Sequence, residues 1–303
     1  MAVLALDIGG TNTRSALFLR PGHDIMATRT SNQQLGHPLT VDALGDYIER
    51  QLTGARRAGF TVTAIGLAVA AVVDAASGFI YVGENVGWAQ LPLGQKLIER
   101  FGLPIYIDTD AHCGALAEAR LGAGSDWASF LYVTIGTGIG HALVMQRSVW
   151  RGAHGAANVF GHFVMVPDGV PCYCGNRGCL CLYASGDGLA RMGRLHRPEA
   201  EGVTAREIVR AAGQGESWAV PLVDQALDKL AVALSHVYNL LDIEGVIFDG
   251  GAVSNAYPDL MELTRRLEVH VYPSMRPITL RRSQLNSSSV IQGAAQLAFD
   301  AQT

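Results

Sequence analysis

Two segments of this chain share one local grammar, and together they constrain the fold more than any other feature. Ala2–Leu6 is a short apolar run that breaks at Asp7-Ile8-Gly9-Gly10-Thr11-Asn12-Thr13, and a second β-type run, Arg14–Leu19, follows directly. Phe130–Ile135 breaks similarly at Gly136-Thr137-Gly138-Ile139-Gly140 and resumes as His141–Met145. In both, the glycines fall in a turn between two strands. A strand-turn-helix arrangement is absent, which argues against dinucleotide-binding and P-loop readings. Glycines at such a turn let backbone N–H groups approach an anion closely, and Thr11 and Thr13 add hydroxyl donors. A plain polar hairpin would use the same residues. Asp7, at the strand end, is placed to orient a hydrated cation. Two such halves point to a duplicated α/β fold whose paired turns face one cleft.

The remaining segments supply the other elements. Thr40–Ala58 has helical periodicity, with Thr40 as N-cap and Leu44, Ile48 and Leu52 on one face. Thr63–Val73 reads as one buried strand, followed by a turn at residues 74–78. Asn85-Val86-Gly87-Trp88 reads as a loop and Leu93–Phe101 as a helix. Pro104–Ile107 is a strand that delivers Asp108-Thr109-Asp110 at its C-terminal end, where α/β sheets place ligand groups. Ala111–Leu121, Leu222–Leu241 and Val290–Ala301 read as helices, and Gly245–Phe248 as a last core strand ending in Asp249-Gly250-Gly251.

Four of the five cysteines lie between Cys172 and Cys181. Cys172, Cys174 and Cys179, with His162 upstream, form a Cys₃His set, a common closed ligand set for structural Zn²⁺. Gly175 and Gly178 permit tight turning between ligands. A disulfide cluster or a patch of buried thiols would use the same residues. Nothing else in the sequence reads as secreted, so the spacing favours zinc.

At 303 residues the chain is long enough for two lobes. The expected division places residues 1–112 and 290–303 in a small lobe, with the first hairpin and the acceptor side. Residues 113–289 form a large lobe, with the second hairpin, the zinc motif and the nucleotide side. A net charge of −4 disfavours a nucleic-acid or anionic-membrane surface. The N-terminus shows no basic, apolar leader and no segment approaches a membrane span, so a cytoplasmic protein is expected.

The assembled motifs resemble the ROK family of sugar kinases, within the two-lobed actin/hexokinase/Hsp70-type (ribonuclease H-like) ATPase fold. Asp7–Thr11 resembles that fold's first phosphate hairpin, Gly136–Gly140 its second, and Ile247–Gly251 the segment near the nucleotide. His162 and Cys172-x-Cys174-Gly-x-x-Gly-Cys179 match the family's zinc signature. The resemblance covers essentially the whole chain. It implies ATP, Mg²⁺ and a structural Zn²⁺, with transfer of the γ-phosphoryl group to a sugar hydroxyl. Asp110 matches the family's catalytic aspartate, the base for a primary alcohol; a plain helix cap would also suit that position. Asp7, Gly9, Gly10, Thr11, Asn12, Thr137 and Gly138 would hold the phosphates, and Gly250 and Gly251 would line the nucleotide. Homodimers are common in the family, and a homodimer is expected here.

The departures from the family pattern fall on the sugar side. The family's Asn-Asp-Ala-Asn is Thr109-Asp110-Ala111-His112, and its Glu-x-Gly-His is Val159-Phe160-Gly161-His162. The glutamate after the last zinc cysteine is Cys181, the Pro-Gly-Pro loop is Ala70-Ala71-Val72, and a glycine of the second turn is His141. Ala71, Asn85, Thr109, Asp110, Val159, His162 and Cys181 therefore line the expected acceptor side. Each hydroxyl bond to a lost carboxylate is worth about 1.5–3 kcal/mol. The expected acceptor is accordingly a non-standard hexose, an aminosugar or a sugar-like cyclitol, phosphorylated at its 6-OH or equivalent 7-OH, as in secondary metabolism. A catalytically silent metabolite sensor is the alternative, and an ordinary glucokinase or fructokinase a lesser one. A DNA-binding repressor is disfavoured, because the first strand is expected from Ala2, before any reader domain.

Overall fold

A computed structural model describes the chain except residues 1, 37, 84, 158, 198–201, 253–255 and 303. The elements begin with β1 (Ala2–Ile8), β2 (Asn12–Arg20), β3 (His23–Ser31), α1 (Asn32–Leu35), α2 (Val41–Arg57), β4 (Val62–Val69), β5 (Val72–Asp74) and β6 (Phe79–Gly83). They continue with β7 (Trp88–Leu91), α3 (Leu93–Phe101), β8 (Ile105–Thr109), α4 (Asp110–Leu121), β9 (Phe130–Ile135), β10 (Ile139–Met145) and β11 (Ser148–Trp150). After the cysteine-rich segment come α5 (Cys181–Ala184), α6 (Gly186–His196), α7 (Ala205–Gly213), α8 (Val220–Leu241), β12 (Gly245–Asp249), α9 (Leu260–Glu268), β13 (Leu280–Arg282) and α10 (Ser289–Asp300).

Two compact units result: residues 1–125, 148–157 and 288–303 form the first, and residues 126–147 and 158–287 the second. The main sheet of the first unit has the order β3-β2-β1-β4-β8, with β1 antiparallel to β2 and parallel to β4, and β4 parallel to β8. In the second unit β10-β9-β12-β13 repeats the scheme: β9 is antiparallel to β10 and parallel to β12, which is parallel to β13. The duplication read from the two Gly/Thr turns is thus a duplication of sheet topology.

Strand periodicity explains how the first sheet is covered on both faces. Leu4, Leu6 and Ile8 join a core with Leu44, Ile48 and Leu52 of α2 and Leu97 of α3. Val3 and Ala5 point the other way, into a core of small residues shared with Ala294, Ala295 and Ala298 of α10. That face is close-packed: a Cβ on Gly293 would lie 1.7 Å from the Cys113 carbonyl oxygen of α4. Helix α8 buries Leu227, Leu230, Leu234 and Val237, the stripe expected from its sequence, in the core of the second unit. No helix among the described residues is long and apolar enough to cross a membrane.

Several boundaries differ from expectation. The buried run at 63–73 is two strands, broken at Ala70-Ala71, because β5 leaves the main sheet to join β6 and β7. Trp88 begins β7, its indole N–H donating to the Leu39 carbonyl, so it is not a loop residue. Strand β3 carries no apolar alternation, its residues being exposed or half-buried, and the sequence gives no hint of it.

Candidate functional site

In the first unit the strand register brings the candidate carboxylates together. Asp7 of β1 and Asp108 of β8 both pair with Ala68 of the intervening β4, so these strands end level. Asp110 follows as the first residue of α4. Asp7 lies 3.5 Å from the Arg14 guanidinium on β2 and is 14% exposed. Burial pushes its carboxyl up to about 6, against the pull of Arg14 and with the help of the negative charge at Asp110. Burial also raises the Asp110 carboxyl, although the Ala111 N–H, 2.8 Å away, and His112 oppose it. Two neighbouring acids with raised proton affinity are suited to accepting a proton and to facing a cation.

Around Asp110 the backbone is held by side chains. The buried Thr109 hydroxyl accepts from the His112 N–H at 3.1 Å, capping α4, so Thr109 is committed to the helix and does not present its hydroxyl to a ligand. Asp108, not expected as a site residue, is buried and saturated. Its Oδ1 accepts from Thr109 N–H (2.8 Å) and His112 Nδ1 (2.7 Å), and its Oδ2 from Arg151 Nε (2.8 Å). Burial alone would raise this carboxyl, but His112, Arg151 and the amide together hold it below the usual carboxylate range.

The first hairpin is braced by Asn32, a residue sequence reasoning missed. Its Nδ2 donates to the Gly9 carbonyl (2.7 Å), its N–H to the Thr11 carbonyl (2.9 Å), and its Oδ1 accepts from the Thr13 hydroxyl (2.9 Å). Thr13 is therefore turned inward and is not the anion donor expected of it, whereas Thr11 is exposed and Gly9, Gly10 and Asn12 are half-buried. A cavity of about 200 Å³ opens beside the hairpin, lined by Gly10, Asn32, Leu39, Asn85 and Val86. Ala71 lies half-buried at the break after β4.

In the second unit the turn between β9 and β10 exposes Thr137 and Gly138. It is fixed by N–H groups at the start of α6: Gly186 donates to the Gly136 carbonyl (2.8 Å) and Asp187 to the Thr137 carbonyl (3.2 Å). Gly250 follows β12 at φ +102°, where a Cβ would lie 2.6 Å from the Ile135 carbonyl oxygen, so glycine is required. Gly251 beside it is exposed. The Asp249 carboxylate accepts from the Tyr132 hydroxyl (2.7 Å) and the Gly250 N–H (2.6 Å), locking the strand end.

The knuckle residues also converge. The ligand atoms of His162, Cys172, Cys174 and Cys179 all lie within 4.8 Å of one another. Cys172 Sγ is 3.6 Å from His162 Nδ1, and Cys174 Sγ is 3.6 Å from Cys179 Sγ. A tetrahedral zinc with bonds of roughly 2.0–2.3 Å sets its ligands about 3.3–3.8 Å apart, so these two pairs have the spacing of zinc ligands and the donor types fit the metal. All five cysteines are free thiols, against the disulfide alternative. His162 Nε2 lies 3.0 Å from the Tyr173 hydroxyl, an outer contact that would fix the ring for Nδ1 ligation.

The family model described as ROK family matches residues 3–301. The chain belongs to the ROK family. It is 31% identical over 285 residues to a glucokinase of Halalkalibacterium halodurans, spanning 89% of this chain and 86% of that one. A ROK family glucokinase from Streptomyces griseus, solved in complex with glucose and AMPPNP, superposes with a TM-score of 0.81 at 28% identity, covering 99% of this chain and 100% of the other. The fold is therefore the α/β actin-like fold of ROK kinases. A putative xylose repressor of Caldicellulosiruptor sp. is 31% identical over 202 residues, 63% of this chain and 51% of the repressor.

As a ROK chain, this one departs from the family pattern at Val159, Cys181 and His141. Val159, where the ROK pattern has glutamate, is 50% exposed. Cys181 opens α5, buried, and its thiol is pushed up to about 12 by burial and then by the charge at Cys172. It is a neutral group outside the four-ligand set. His141 Nδ1 accepts from the Phe160 N–H at 2.8 Å and its ring packs on Phe160, so it ties β10 to the turn bearing His162.

Proposed function

We propose that this chain is an ATP-dependent kinase that phosphorylates a primary hydroxyl of a non-standard hexose, aminosugar or sugar-like cyclitol. The observation that carries the reading is the Asp110 carboxyl, the first residue of α4, raised in proton affinity by burial and near enough for its charge to act on Asp7. In the reaction the acceptor oxygen bonds to the γ-phosphorus as the bond to the β-phosphate oxygen breaks and ADP leaves. Asp110 takes the hydroxyl proton. Asp7 is suited to holding a hydrated Mg²⁺, which when bound supplies charge neutralisation on the phosphates. Amides of Gly9, Gly10, Thr11 and Asn12, and those of Thr137 and Gly138, would cradle the phosphates, while Gly250 and Gly251 leave room for the nucleotide. His162, Cys172, Cys174 and Cys179 would hold a structural Zn²⁺ with no open position, so the metal staples the segment and takes no part in the chemistry.

Val159 and Cys181 support the non-standard acceptor. A neutral site in place of two carboxylates forgoes charge-assisted bonds to hydroxyls and favours a less polar or differently substituted ring. Ala71 and Asn85 would form its wall in the first unit. Asp110→Asn should lower transfer about a thousandfold while sparing ATP binding. ADP release with Mg-ATP and a panel of hexoses, aminosugars and cyclitols reads both. An active Asp110→Asn enzyme would sink the base assignment, and a preference for D-glucose over the rest of the panel would sink the acceptor class.

The relative named as a repressor supports a second reading, a metabolite sensor without turnover. ATP binding with no ADP release for any acceptor would favour it. Exposed Leu240, Val269 and Tyr272 near the ends of α8 and α9 support a homodimer through the second unit.

A further inference from the structure

Asp108, two residues before Asp110, is the centre of a buried side-chain cluster. Asp108, His112 and Arg151 come from three separate places: the end of β8, the first turn of α4, and the segment after β11. They close on one buried carboxylate. Asp108 and His112 are each 1% exposed, and Arg151 reaches the same carboxylate with two nitrogens, Nε at 2.8 Å and Nη2 at 2.6 Å. Because Asp108 Oδ1 is an acceptor, His112 must carry its hydrogen on Nδ1, and its Nε2 is buried with no hydrogen-bond partner among the described residues. Burying an imidazole with one nitrogen unsatisfied is costly, so the Nδ1 contact is a demanding one to keep. Its effect is to clamp position 112 to position 108, across the residue that carries the reacting carboxyl. The Thr109 cap clamps the same turn through the backbone.

We propose that Asp108, His112 and Arg151 form a positioning network that fixes the direction of the Asp110 carboxylate relative to the acceptor hydroxyl. The three would act through the first turn of α4 and not by contact with the substrate. This inference rests on the reading of Asp110 as the base. Transfer to a bound hydroxyl tolerates little misplacement of the base, and a loosened first turn of α4 would swing it. Arg151 is the accessible member, 36% exposed and lining a cavity of about 550 Å³ with Tyr106, Leu116 and Arg120. A small cation in solution can therefore reach the place of its guanidinium.

The test uses the full chain and four variants, Arg151→Ala, His112→Leu, His112→Asn and Asp110→Asn, each checked for folding by circular dichroism. Arg151→Ala should lose roughly tenfold to a hundredfold in kcat, with KM for ATP within about twofold of the parent. Guanidinium ion at about 20 mM should restore most of that loss and leave the parent enzyme unaffected. His112→Leu should fall similarly. His112→Asn, whose Nδ2 can donate in place of Nδ1, should keep most of the activity. Crystal structures of the parent and His112→Leu give a readout that needs no acceptor: the Asp110 carboxylate should change position or lose order.

Loss in Arg151→Ala without rescue by guanidinium, or unchanged kcat and an unmoved carboxylate in His112→Leu, overturns the network. If Asp110→Asn remains active, the base assignment fails instead, so the two failures are separable.

Discussion

Asp7 illustrates how a buried carboxyl weighs on the fold that carries it. Its proton affinity in the folded state corresponds to about 6, against 3.8 in a solvated reference. A carboxyl with a raised folded value penalises the folded state once ionised. That group's contribution to stability is therefore greatest below about pH 4 and is lost as pH rises through about 6. Full ionisation costs about 3 kcal/mol at 1.36 kcal/mol per pH unit, with the pull of Arg14 already included, and solvent screening reduces it to roughly 1–2 kcal/mol. Asp7→Asn should thus raise Tm at pH 7 by roughly 2–4 °C. The gap to the parent should close as pH falls to about 4. Thermal unfolding across that range checks this, and a variant less stable than the parent at pH 7 would mean that the Arg14 contact outweighs the burial. The same substitution should weaken Mg-ATP-dependent activity, the usual exchange of stability for function.

Elements were legible where backbone chemistry writes itself into residue type. Both hairpins follow from glycine and threonine between apolar runs, and α2, α3 and α8 from their helical stretches of sequence. What stayed hidden was direction and distance. Thr13 and Thr109 are the right residue types for phosphate or sugar contact, yet their hydroxyls are consumed by Asn32 and by the cap of α4. Arg151 sits 43 residues from Asp108 in a loop, and no local pattern marks such a pair. Edge strand β3 is invisible because its partner's backbone stabilises it, not a buried face. Helix α10 gives the opposite lesson, since its apolar run was plain but the closeness of its seat was not. Gly293→Ala would place a methyl carbon 1.7 Å from the Cys113 carbonyl oxygen, in backbone that cannot yield cheaply. The expected cost is about 2–4 kcal/mol, read by urea denaturation. A substitution without loss would show that α10 shifts freely over α4.

At the scale of the whole molecule, the chain holds two units with separate cores, and the knuckle belongs to only one of them. Cys172, Cys179 and Cys181 are members of the second unit's core, alongside Leu131, Val133 and Phe248 of its sheet. Removing zinc would leave three thiols and an imidazole at the edge of that core with no common partner. Zinc held by this set would therefore contribute to the folding free energy of the second unit, whose core contains Cys172 and Cys179. Metal analysis should find about one zinc per chain, lost in Cys174→Ser. Amide hydrogen exchange after chelation should show faster exchange in the knuckle, spreading into β9 and α5, while β1, β4 and α2 keep their protection. Equal loss of protection in both units would mean that they unfold as one, and that the staple supports the entire chain.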